Sequence, residues 1–213
     1  MAAEREPDPH EGDAAEDLPF SARLEAWLAS EGEKTIGDLG AVFGEKSFAV
    51  TVLLLMFVPA LPLPTGGISH LFEAITIVVA AQMVLGRTTL WLPDRWERRE
   101  LGAAAMDKAV PFIARRIRWF ERFSRPRLVW VFRERLPLRF VGLLIGGLAL
   151  AAALSPPFSG LDTIPSMGAV TVALAIILED AVVLAIGAFV GAGGVVISLT
   201  LGALVVNTVK HLV

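Results

Sequence analysis

Glu179 and Asp180 stand side by side in an otherwise apolar stretch, 14 residues past Pro165. An acid at the centre of a membrane span costs at least about 2.5–3.5 kcal/mol on insertion scales, so such a pair is expected to face a cavity or a partner. Sliding the chain against itself by 101 residues places Glu179 on Val78, one helical turn before Gln82, and Gln82 on Val183, three residues after Asp180. On equivalent helices these three side chains share a face. The pattern predicts a polar site of Gln82, Glu179 and Asp180 able to hold a cationic group or a proton. The alternative is that the two acids lie at a membrane surface, where solvation is cheap.

Other polar residues flank two proline-rich stretches. Glu73 is set nine residues from Gln82, on the opposite helix face. It is expected to cap a helix amino terminus, where the macrodipole favours an anion, with a proton or substrate site as the second reading. His70 reads as an interfacial residue. Thr65, Gly66 and Gly67, and in the second stretch Ser166 to Gly168, present backbone donors where helices begin. They either receive a carboxylate or phosphate or simply permit a turn. Asp162 joins Glu73 as an acid near a helix start, and together the acids would suit a zwitterion bearing an extra positive charge. The chain has no cysteine and three histidines, at positions 10, 70 and 211, without ligand spacing. No metal site is expected. Neither a Gly-rich phosphate loop nor a Ser-His-Asp order appears, so the chain is not expected to be an enzyme or to carry a cofactor.

The elements that must position these residues follow from charge and hydropathy. Of the 213 residues, 54% are hydrophobic and 19% charged, too apolar for an ordinary soluble domain. Residues 1–17 hold seven acids and one base, an acidic tail expected to be disordered. Lacking the basic and apolar regions of a secretory signal, the tail is expected in the cytoplasm. Residues 18–46 read as amphipathic helices, with Leu18, Phe20, Leu24, Trp27 and Leu28 among acids. Residues 47–86 form a first apolar block, broken at Pro59, Pro62 and Pro64. Residues 87–139 carry 14 of the 19 Lys and Arg against six acids, so the positive-inside rule assigns them to the cytoplasm. Within them Ile113, Ile117, Phe120, Phe123 and Leu128 recur among arginines, and an amphipathic helix lying in the membrane plane is predicted. Alternating Trp, Phe and Arg favour anionic lipid headgroups over nucleic acid as the partner. Residues 140–213 form a second apolar block, broken at Pro156, Pro157 and Pro165 and ending in a last span.

At the 101-residue offset Phe57 falls on Phe158, Pro64 on Pro165, Gly67 on Gly168 and Gly86 on Gly187. Both blocks read as leg, proline break, glycine and long leg. The predicted fold is all-α: a polytopic helical membrane protein with two proline-broken helix repeats, re-entrant or turn-linked, and amphipathic interfacial helices. Paired interrupted helices point to a transporter site near the bilayer midplane. The alternative is that the prolines kink two unrelated helices.

From Leu18 to Val209 the chain resembles the ExoD family, named for exopolysaccharide synthesis. The likeness rests on Pro59-x-x-Pro62-x-Pro64-x-Gly66, on Gln82-x-x-x-Gly86-Arg87 followed by Trp91-Leu92-Pro93, on Glu121-Arg122-x-x-x-Pro126-Arg127-Leu128, and on the second proline break followed by Glu179-Asp180. Asp180-Ala181 stands where the family is expected to carry Asp-Gly. The resemblance implies a multi-pass protein of the bacterial inner membrane. It also implies a carrier of small polar solutes, with a cationic amino acid such as arginine the first substrate class. The interrupted helices predict alternating access by rocking of the two blocks, and so few spans predict a homodimer. The rival expectation is an accessory membrane protein for exopolysaccharide synthesis or assembly that moves no solute.

Overall fold

The computed structural model describes residues 18–30, 43–61, 68–87, 89–91, 110–122, 124–125, 127–156 and 159–212. The acidic tail and Pro62, Pro64, Thr65, Gly66, Gly67 and Pro157 lie outside the described residues. Those residues hold eight α-helices, one 3-10 turn and no strand. The chain divides into two units, one of residues 1–34 and 101–123, the other of residues 35–100 and 124–213.

The first unit contains α1 (Phe20–Ala29) and α4 (Val110–Glu121), packed together. Phe20, Leu24 and Trp27 recur at helical spacing and are buried, as are Val110, Ile113, Ala114 and Ile117. The apolar stripe of α4 that its sequence assigns to the membrane plane is therefore largely covered by protein. Glu121, at the end of α4, accepts the Ser21 backbone N–H at 3.0 Å and the Ser21 hydroxyl, so a carboxylate closes the open start of α1. Arg118 pairs with Glu25, and the Arg116 guanidinium lies 5.0 Å from the Phe112 ring centre.

The second unit holds α2 (Ser47–Phe57), α3 (Ile68–Val84), α5 (Trp130–Arg133), α6 (Arg135–Ala153), α7 (Thr163–Leu178) and α8 (Ala181–Leu212). α7 and α8 form an antiparallel hairpin. A Cβ on Gly168 would stand 2.4 Å from the Gly191 Cα, and one on Gly194 would stand 2.7 Å from Pro165. Small residues at these crossings let two backbones approach, as in membrane helix pairs. α3 runs antiparallel to α6 through a second small-residue stripe, with Gly142 against Met83 and Gly146 against Ala80. α2 lies against α7 and α3.

These helices correct two readings of the prolines and glycines. α2 ends just before Pro59 and α6 just before Pro156, as a missing donor dictates. Pro165, however, is the third residue of α7, where the absent N–H would have had no helical partner. Gly168 is likewise not a break: it lies inside α7 and is the point of closest approach to α8.

Among the described residues two helices are long and apolar enough to cross a membrane, over Leu136–Ala153 and Ala181–Leu201. Their outer faces are bare: Phe189 is 83% exposed, and Leu136, Phe140, Leu143 and Leu199 all exceed 60%. A contiguous apolar surface of this kind is rare on a soluble monomer and marks a membrane or protein contact. The shorter apolar helices α2, α3 and α7 pack on the two long ones or on each other.

Candidate functional site

Three features of the second unit gather polar or accessible side chains. The first surrounds the turn between α7 and α8. α7 ends at Leu178, and Glu179 takes a left-handed backbone conformation with φ of 52°, which reverses the chain. Asp180 then heads α8: its Oδ1 accepts the Val182 N–H at 2.9 Å, the bond of a helix N-cap. Its Oδ2 accepts the Ser124 hydroxyl at 2.9 Å and the Arg125 N–H at 3.3 Å. Arg127 lies alongside as an isolated parallel bridge, its N–H donating to the Glu179 carbonyl at 3.1 Å while its own carbonyl accepts from the Ala181 N–H at 3.3 Å. Asp180 is 3% exposed. Burial alone would push its carboxyl up, but the Val182 amide, the Ser124 hydroxyl, the Arg125 amide and the Arg127 charge together hold it below the usual carboxylate range.

Glu179 pairs with Lys46 at 3.0 Å, and the same ammonium donates to the Ile177 carbonyl at 3.1 Å. A cation on the last carbonyls of α7 complements the negative end of its dipole. Lys46 thus ties the start of α2 to the end of α7. Gln82 acts elsewhere. Its Oε1 accepts the Trp91 N–H at 2.8 Å and its Nε2 donates to the Trp91 carbonyl at 3.0 Å, clasping the chain that leaves α3. The predicted site of Gln82, Glu179 and Asp180 is therefore three structural fastenings with separate partners. Gln82 lies in α3, whereas both acids occupy the turn after α7, so the three do not share a helix face.

The second feature is Glu73. It is the sixth residue of α3, too far inside to cap the helix start, and it points into the protein. Its side chain is 0% exposed; Oε2 lies 2.8 Å from His70 Nδ1, and Oε1 has no hydrogen-bond partner. His70, read from the sequence as merely interfacial, is its partner one turn back, at a spacing that sequence alone offers. Asp162, the residue before α7, is close enough to act on Glu73 electrostatically. Ser166, one turn further along α7, has a fully buried hydroxyl without a partner.

The third feature was not legible in the sequence. An open groove of about 570 Å³ runs between α6 and α8, lined by Leu136, Phe140, Leu144, Leu184, Ala185 and Ala188, with Trp130 of α5 also on its wall. Ala181 closes one end, and there the Arg127 carbonyl accepts its N–H.

A family model described as exopolysaccharide synthesis, ExoD, matches residues 20–200. The chain belongs to the ExoD family. The match takes in α1 through α7 and most of α8. The chain is similar to Protein ExoD of Rhizobium meliloti, with 32% identity over 161 residues, covering 73% of this chain and 65% of that protein. It is also similar to an uncharacterized protein of Synechocystis sp., with 28% identity over 172 residues, covering 79% of this chain and 76% of the relative. No solved structure matches this ExoD-family chain.

Proposed function

We propose that the chain serves exopolysaccharide synthesis as a membrane-embedded accessory protein that binds rather than catalyses. The family match over residues 20–200 carries this reading, since the family is described by exopolysaccharide synthesis. The bare apolar faces of α6 and α8 support the membrane setting. In it, α6 leaves the cytoplasmic side, α7 returns, and α8 crosses again, so that Lys46, Arg125, Arg127 and Arg139 collect at the cytoplasmic end. The basic segment 87–139 orients the multi-pass chain in the bacterial inner membrane. α2, with 11 residues and so about 16 Å long, reaches only about half way through a hydrocarbon core of about 30 Å. That length supports a re-entrant first hairpin.

The groove between α6 and α8 is the surface with which such a protein would hold the hydrocarbon of a lipid-anchored intermediate. Deleting the gene in the source bacterium should lower secreted polysaccharide, and wild-type chain should restore it. Ala185→Trp, which fills the groove, should reach the membrane in normal amount and fail to restore it. Unchanged polysaccharide in the deletion strain would remove the reading.

A second reading, transport of a small polar solute such as arginine, has one specific observation behind it: the buried, half-paired carboxylate of Glu73 among apolar helices. Uptake of labelled arginine into proteoliposomes tests it. Absence of uptake with wild-type chain, against a working control carrier, rejects arginine transport.

A further inference from the structure

Glu73 has no structural duty that explains its place. A carboxylate inside apolar surroundings is stable when both oxygens are engaged, yet here Oε1 is buried and unpaired. Leaving half of a buried charge unsolvated is costly, and a proton on the carboxyl group removes that cost. The one charged or titratable neighbour on its own helix is His70, at 2.8 Å. From α7 the facing acid is Asp162. α2 and α6, which also pack on α3, carry no titratable side chain between Ser47 and Phe57 or between Phe140 and Ala153. Glu73, His70 and Asp162 do not come close enough to share a metal ion, and the fully covered carboxylate leaves room for a proton before any larger guest.

We infer that Glu73 and His70 form a proton-binding site within the apolar helices of the second unit, loaded through His70. The imidazole is 32% exposed while the carboxylate is sealed, so the ring is the accessible group and the carboxylate the group that stores the proton. Nδ1 faces Glu73 Oε2 directly, which lets one proton pass between the two without rearrangement of the helix. The charge held beside Asp162 then changes by one with each loading. The inference rests on the membrane setting of the second unit. Under the accessory reading the site makes the protein's state depend on pH; under the transport reading it is where a coupling proton binds.

The test uses full-length chain in sealed liposomes. The apolar reagent dicyclohexylcarbodiimide, which attacks protonated carboxyl groups, is applied from pH 5 to pH 9, and modification of residue 73 is read by peptide mass spectrometry. Glu73 should be modified at low pH and spared at high pH, with Glu73→Gln showing no mass shift in that peptide. His70→Gln should move the midpoint to higher pH, because the ring that holds the carboxylate at Oε2 is gone. An unmodified Glu73 throughout, or an identical profile in His70→Gln, overturns the inference. Equal reaction with a water-soluble carbodiimide overturns it too, since the carboxyl would then be open to water. The membrane setting is read separately: Leu143→Cys should resist a water-soluble maleimide in the same liposomes, and its rapid reaction would sink that setting instead.

Discussion

Replacing Asp180 with alanine removes three acceptor contacts at once from the α7–α8 turn. The N-cap bond to Val182 accounts for about 1 kcal/mol. The Ser124 hydroxyl and Arg125 amide then lose a charged acceptor, at about 1 kcal/mol each or somewhat more. The sum is about 3 kcal/mol, which for a chain of this size corresponds to a fall in Tm of roughly 6–12 °C. Asp180→Asn separates the parts: its remaining carbonyl can still cap Val182, while its amide turns a donor toward the Arg125 N–H, so it should lose about half as much. Unfolding in mixed micelles titrated with dodecyl sulfate, followed by tryptophan fluorescence, measures both. The pH dependence has a definite sign. A carboxyl held below its ordinary value in the folded chain stabilises fully above the unfolded value, about pH 3.9, and loses that contribution as pH falls through the lower folded value. The gap between wild type and Asp180→Ala should therefore stay constant from pH 8 to pH 5 and narrow only below about pH 4. A loss under about 1 kcal/mol for Asp180→Ala, or equal losses for the two variants, would refute the assignment of this acid as the cap and anchor of the turn.

Two further outcomes follow from packing and from the Gln82 clasp. Gly168→Ala places a Cβ 2.4 Å from the Gly191 Cα, so α7 and α8 must separate; it should destabilise by about 2 kcal/mol or more. Gly193→Ala, on the same hairpin but with nothing within 4 Å, should be neutral or stabilise by up to about 1 kcal/mol through helix propensity. Comparable losses at both positions, in the same micelle titration, would show that close approach is not what Gly168 supplies. Gln82→Ala breaks both bonds to Trp91, and the Trp91 amide should exchange its hydrogen about tenfold faster, corresponding to about 1.4 kcal/mol of lost protection. Unchanged exchange would show that the clasp does not hold that segment.

Much of this architecture was written in the chain itself. Apolar runs, the positions of Pro59 and Pro156, and the basic stretch between the blocks determined that the chain is helical and where α2 and α6 end, because a missing N–H and a run of charge act locally. The ordered motifs from Pro59 to Asp180 determined the family. Tertiary structure alone decided what the polar residues do. Glu179 and Asp180 looked like acids within one apolar helix, but the left-handed conformation at Glu179 splits that run and gives them to Lys46, Ser124 and Arg125, distant in sequence. Glu73 was legible as an acid in an apolar helix. Its burial, its half-empty carboxylate and the approach of Asp162 depend on helices brought together from both blocks. Pairing partners of that kind are set by packing, and packing is a property of the whole unit rather than of any window of residues.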